Sequence, residues 1–197
     1  MKQFDYGKVK EQLKEALDKK RYDHSIRTMR TCIELSKALG CDVEKAKIAG
    51  LLHDCAKGLE EKYLLMGYGL SDIISTDLID SYKALVHSPL GAQVAQREYG
   101  VEEEDILNAI TYHTTGREGM TLLEKIVFVA DAIEPGRMYE DIDKIREIAF
   151  VDLDKAVIEV MNANIRHCLQ TKRLVHPLTV ISRNHYIKKE RFKGETI

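Results

Sequence analysis

Apolar residues recur at helical spacing along almost the whole chain. Over 6–17 they fall at Val9, Leu13, Ala16 and Leu17 with charged residues between them, which predicts an amphipathic helix. A second helix is predicted over 23–39, with Ile26, Met29, Cys32, Ile33 and Ser36 inward, His24 in its first turn and Gly40 as its stop. Asp42 reads as the cap of a third over 43–56, where Ala46, Ala49, Gly50 and Leu52 let neighbouring helices come close. Short helices follow over 60–66 and 71–81. Ser88 and Pro89 read as cap and first position of a helix that ends at Gly100. The pattern continues over 102–112 and, after a Thr121 cap, over 122–133, closed by Pro135-Gly136. Helices over 141–149, 152–170 and 177–186 complete it, with a frayed tail from about 188. No segment alternates with period 2, so the expectation is an all-α bundle of roughly ten helices forming a single domain over 1–197.

Composition narrows the function without naming it. Lys plus Arg (30) nearly balances Asp plus Glu (32), so no global field points to a nucleic-acid partner. The longest apolar stretches, such as 126–130, are far too short to span a bilayer, and the first five residues do not read as a signal peptide. The four cysteines (Cys32, Cys41, Cys55, Cys168) lack C-x-x-C spacing, which suits free thiols in a cytoplasmic protein. Cys55 is read as a small buried hydrophobe rather than a ligand.

Candidate chemistry gathers around Gly50-Leu51-Leu52-His53-Asp54-Cys55-Ala56-Lys57-Gly58. Adjacent helical residues point about 100° apart, so His53 and Asp54 grip one cation most easily where a helix ends, and Gly58 supplies an ending. His24 precedes this pair and His87, His113 and Asp131 follow, each beside an apolar segment. A carboxylate inside Ile126-Val127-Phe128-Val129-Ala130-Asp131 is rarely buried without a partner. Ligands drawn from imidazole and carboxylate suit iron, manganese or zinc. Lys57 and Arg137 invite two readings, as phosphate contacts or as ordinary cations near helix ends.

His24, then His53-Asp54, then Asp131 resemble the HD-domain metal-dependent phosphohydrolase superfamily. Five longer stretches sharpen this to a likeness with the YqeK family: His53 through Lys57, His87 through Ala92, Ile110 through Arg117, Phe128 through Arg137, and His176-Pro177-Leu178-Thr179. That family comprises bacterial symmetrical diadenosine tetraphosphate (Ap4A) hydrolases that carry iron. Ser88 stands where the family pattern has a glycine. The resemblance implies an HD-domain helical bundle that cuts Ap4A to two ADP, with His24, His53, Asp54 and Asp131 holding Fe, as one or two ions with Mn as the alternative. His87 and His113 face the phosphate chain or a second iron. Catalytic work falls to Asp54, Lys57, His87 and His113. Contacts to the nucleotide and its phosphates fall to Arg21, Lys57, His87, His113, Arg137 and the turn Thr171-Lys172-Arg173-Leu174-Val175-His176. Read from its residues alone, that turn is a solvated basic connection. The partners expected are the nucleotide and a second copy of the chain in a homodimer, not nucleic acid or membrane.

Two other functions fit the same ligands. One is an HD-type nucleoside monophosphate phosphatase; the other is a nucleotide-binding regulator without turnover. No G-x-x-x-x-G-K-[ST] loop is present, so phosphates must be held by metal and side chains.

Overall fold

The computed structural model describes residues 4–68 and 82–193. Ten α-helices and no strand occur among them: α1 (Tyr6–Ala16), α2 (Lys19–Leu39), α3 (Val43–Leu52), α4 (Glu60–Leu65), α5 (His87–Tyr99), α6 (Glu104–Thr111), α7 (Leu122–Ile133), α8 (Ile142–Ala149), α9 (Leu153–Gln170) and α10 (Pro177–Lys193). A 3₁₀ turn over Lys83–Leu85 leads into α5. The all-α expectation holds, and the helix expected over 71–81 lies outside the described residues. No helix among the described residues is long and apolar enough to cross a membrane.

Short polar side chains start five of the helices. Asp5, Asp18, Asp42, Thr121 and Asp152 each accept a backbone N–H from the first turn that follows, satisfying donors the helix itself leaves open. Asp18 is why α2 begins at Lys19 rather than near residue 23, which moves His24 from the first turn into the second. At α7 the cap is reciprocal: Thr121 accepts from the Glu124 amide while the Glu124 carboxylate accepts from the Thr121 amide.

Other boundaries also shift. The third helix stops at Leu52, so Cys55 and Ala56 lie in a run of turns. The expected Ser88 cap is corrected too. Helix α5 already begins at His87, and the Ser88 hydroxyl instead donates to the Leu85 carbonyl and pairs with the Thr114 hydroxyl. Finally, α10 continues to Lys193, past both the expected end at 186 and the expected fraying from 188.

Helix α7 is the central post. Ile126, Val127, Phe128, Val129 and Ala130 are all buried, as expected of a helix surrounded by others, here α2, α3, α6, α8 and α9. Helices α2 and α3 approach closely at Gly50. A Cβ at Gly50 would stand 2.6 Å from Cys32 Sγ and 3.1 Å from the Met29 Cα, so glycine is what lets the two axes close on each other. That closure brings His24 on α2 beside the end of α3.

The last helix is tied on by charge. Asp154 receives Lys125 Nζ of α7 at 2.7 Å and Lys189 Nζ of α10 at 2.8 Å. Burial alone raises the Asp154 carboxyl, but the two ammonium groups lower it to about 2. A depressed folded-state value stabilises the fold above the unfolded carboxyl's pKa and loses that stabilisation as pH falls through the folded one. Asp154→Asn should therefore cost about 1 kcal/mol at neutral pH, once solvent screening of the half-exposed Lys189 is allowed for. Thermal melts should show a constant deficit down to pH about 4 that vanishes towards pH 2. An equal deficit at pH 2 and pH 7 would count against the ion pairs.

Candidate metal centre

Two helix ends aim two imidazoles inward. His53 follows the last residue of α3, and its Nδ1 lies 2.8 Å from the Gly50 carbonyl. His113 stands two residues past the end of α6, with Nδ1 2.7 Å from the Ile110 carbonyl. Carbonyls in a last helical turn lack backbone partners and can only accept. Both rings therefore carry a proton on Nδ1 and, when neutral, present the Nε2 lone pair. The two rings meet edge to face with centroids 5.0 Å apart.

Around these rings the fold brings His24 from α2, His87 from the start of α5, and Asp131 from α7. His24 Nε2 lies 3.1 Å from His53 Nε2 and 2.9 Å from Asp131 Oδ1. His87 Nε2 lies 3.2 Å from His113 Nε2. Asp54, 1% exposed, sits between the pairs. Its Oδ2 is 3.6 Å from both His24 Nε2 and His53 Nε2, while its Oδ1 is 3.1 Å from His87 Nε2 and 3.4 Å from His113 Nε2. Lys57 Nζ bonds both carboxylate oxygens, at 3.2 and 2.9 Å.

Burial and charge act in opposite directions here. Burial raises the Asp54 carboxyl, but the His53 charge and the contacts to His113 and His87 hold it well below the usual carboxylate range. Asp131 is likewise raised by burial and lowered further by its contacts to His24 and His53 and by the Arg137 charge. Burial lowers His24, yet Asp131 beside Nε2 carries it above the usual imidazole value. His87 falls to about 4 because burial outweighs the nearby Asp54 carboxylate, and burial lowers His113 as well.

Such a group fits a cation. The Nε2 atoms of His53 and His113, whose protons are committed to carbonyls, lie 3.1 and 3.2 Å from those of His24 and His87, so ring lone pairs converge on one place. Adding carboxylate oxygens to these nitrogens gives a donor set suited to a first-row divalent ion. Two overlapping groups have ligand atoms close enough to share an ion: His24, His53 and Asp131, and His53, Asp54 and His113. Cys55 does not join them. Its thiol donates to the Gly91 carbonyl, and burial keeps it protonated.

A cavity of about 1090 Å³ opens over the cluster, with His24, His87, His113 and Asp131 in its wall. Lys57, Arg137, Lys172, Arg173, Leu174, Val175 and His176 also line it. His176 meets Tyr82 edge-on at 4.7 Å, and its Nδ1 accepts the Leu178 amide at the start of α10. Two expected nucleotide contacts are placed elsewhere. The Arg21 guanidinium donates to the Lys57 carbonyl and packs over Gly58, bracing the turn from outside. Thr171 donates its hydroxyl to the His167 carbonyl. Neither lines the cavity, because each side chain is turned to a backbone carbonyl at a helix end or turn.

The structure adds residues to which the sequence assigned no role. Glu134, buried at the end of α7, lies 3.0 Å from His24 Nδ1 and is gripped by Arg27. Arg146 of α8 donates to the carbonyls of Ile133, Glu134 and Arg137 and so fixes the loop that carries them. One signal was available: an acid at a helix C-terminus opposes the macrodipole and calls for a specific partner.

Comparison with known proteins agrees with this geometry. Residues 21–136 match the HD domain family. The symmetrical bis(5'-nucleosyl)-tetraphosphatase of Bacillus subtilis (strain 168) is 40% identical over 172 residues, covering 87% of this chain and 92% of that protein. Its namesake in Staphylococcus aureus (strain NCTC 8325 / PS 47) is 37% identical, covering 95% and 98%. Among solved structures, one described as a predicted HD superfamily hydrolase involved in NAD metabolism, from Clostridium acetobutylicum, superposes with a TM-score of 0.85 at 39% identity, covering 94% and 98%.

His53→Ala and Asp54→Ala should each abolish metal uptake while leaving a helical protein, since a lost ligand costs far more binding than an exposed polar group. Elemental analysis checks this directly. Wild-type metal occupancy in both variants would sink the site.

Proposed function

This chain belongs to the HD-domain family, and within it to the symmetrical bis(5'-nucleosyl)-tetraphosphatases, and we infer that it hydrolyses Ap4A at its central phosphoanhydride to give two ADP. The observation that carries this reading is the meeting of a buried histidine–aspartate cluster with a large cation-lined cavity. Although the whole chain is close to neutral, seven lysines and arginines line that cavity against three acids, Asp131, Glu134 and Glu140. A tetraphosphate is the kind of ligand such a wall attracts. The volume of about 1090 Å³ lies at or above the roughly 300–1,000 Å³ of ordinary small-molecule sites. It therefore favours a dinucleotide over a nucleoside monophosphate.

Chemically, water adds an oxygen to one inner phosphorus, the bridging P–O bond of the tetraphosphate breaks, and ADP leaves from each side. A divalent ion, when bound, lowers the pKa of water and polarises a phosphoryl oxygen. His24, His53, Asp54 and Asp131 are the residues we assign to hold it, with His87 and His113 beside Asp54 for the phosphate chain or a second ion. The imidazole and carboxylate donors suit iron, manganese or zinc alike; iron is the metal we favour, on the family resemblance, with manganese the alternative. Lys57 reaches the cavity while bonded to Asp54, and Arg137 does so while bonded to Asp131. Both cations are therefore pre-oriented to neutralise phosphate charge as it develops. Lys172 and Arg173 also line the cavity and add to its positive wall, and we assign them to the outer half of a dinucleotide.

Where the bond breaks is a strict test of register. Shifting the chain by one phosphate moves the reacting atoms by about a full near-attack distance of 3–3.5 Å, so product identity should be all-or-none. Chromatography of an early time course with Ap4A and added Fe(II) or Mn(II) should show ADP as the sole nucleotide product. Equal amounts of ATP and AMP without ADP would overturn the symmetrical assignment.

A further inference from the structure

Glu134 lies outside the cluster, yet it holds one of the cluster's imidazoles. Its side chain is 2% exposed, and each carboxylate oxygen has a distinct job. Oε1 faces His24 Nδ1 at 3.0 Å and Arg27 Nη2 at 3.3 Å. Oε2 accepts from Arg27 Nε and from the Gly136 amide, both at 2.5 Å. The Arg27 guanidinium reaches this position only because residue 136 has no side chain: a Cβ there would fall 2.6–2.8 Å from its atoms. Arg146 clamps the carbonyls on both sides of the loop. The carboxylate thus has little freedom to turn.

An ionised carboxylate can only accept, so the proton between Glu134 and His24 belongs to Nδ1. We propose that Glu134, fixed by Arg27 and the Gly136 amide, is the positioning residue that sets the tautomer and ring orientation of His24, so that Nε2 is the atom offered to a divalent cation. This rests on the reading of the cluster as a metal site. It extends to His24 the device by which backbone carbonyls orient His53 and His113. For His24, in the second turn of α2, a charged side chain from the end of α7 takes the place of a helix-end carbonyl.

The substitution Glu134→Gln makes the idea testable, because it keeps nearly the same shape and reverses the hydrogen-bond logic. Two donors at 2.5 Å face the Oε2 position, against the longer 3.3 Å contact of Arg27 Nη2 at Oε1, so the amide favours its carbonyl at Oε2 and its NH₂ towards His24 Nδ1. The imidazole would then accept at Nδ1 and keep its proton on Nε2, pointing at the metal position. Metal-stripped Glu134→Gln, titrated with Mn(II) by calorimetry, should bind about 10–100-fold more weakly than wild type while keeping its helical circular dichroism. Binding within twofold of wild type overturns the proposal. A second measurement needs no variant: in wild-type protein loaded with Zn(II), long-range ¹⁵N–¹H spectra should show His24 protonated on Nδ1. A proton on Nε2, or a bare Nδ1, overturns it even if Glu134→Gln does not fold. Wild-type protein that takes up no Mn(II) would instead defeat the metal reading itself, so the two failures are distinguishable.

Discussion

Everything at this site follows from keeping the Asp54 carboxylate ionised where water cannot reach it. Placing a bare carboxylate in a protein interior costs many kcal/mol, and such a group normally takes up a proton instead. Asp54 avoids this because Lys57 Nζ bonds both its oxygens from the cavity side and His87 Nε2 lies 3.1 Å from Oδ1, where it can donate. The imidazoles add a second requirement, since the Nε2 lone pairs of His53 and His113 are aimed at the same place. A divalent cation resolves both requirements at once. Charge balance, rather than packing, is what this part of the core is built to achieve.

The helices supply the precision. Three of the imidazoles are aimed by hydrogen bonds from the ring nitrogen facing away from the cluster: two by helix-end carbonyls and one by Glu134. Helix ends are well suited to the task because their carbonyls are fixed yet unpaired. The close approach of α2 and α3 at Gly50 then brings His24 and His53 within contact, and α7 delivers Asp131 and Glu134 one turn apart. Function therefore depends on where helices stop as much as on which faces they bury.

That dependence explains what the sequence could and could not reveal. The span of α7 was legible to the residue, because Thr121 and Pro135-Gly136 punctuate an unambiguous apolar run. His24, His53, Asp54 and Asp131 stand out in the sequence because polar ligand types lie within or beside apolar segments, and the fold brings the four together. The start of α2 was not, since Asp18 and Asp23 are both acceptable caps and only tertiary placement chooses between them. Arg21 is a nucleotide contact by family resemblance, yet its guanidinium turns to the Lys57 carbonyl, a direction that no local pattern carries. Glu134 received no role because its partners Arg27 and His24 are over a hundred residues away in sequence. Long-range pairings of this kind carry no local period.

If the cluster is incomplete without a divalent ion, melting of the metal-free protein reveals it without recourse to turnover. An ion held at a hundred times its dissociation constant adds about 2.7 kcal/mol, which for a chain of this size raises the midpoint by about 5–10 °C. Calorimetric scans of chelator-treated protein, with Fe(II) or Mn(II) added under reducing conditions, should show that rise saturating at one or two ions per chain. A midpoint that neither ion moves would contradict this: the histidines and aspartates would then satisfy one another unaided, and the cluster would be no metal centre.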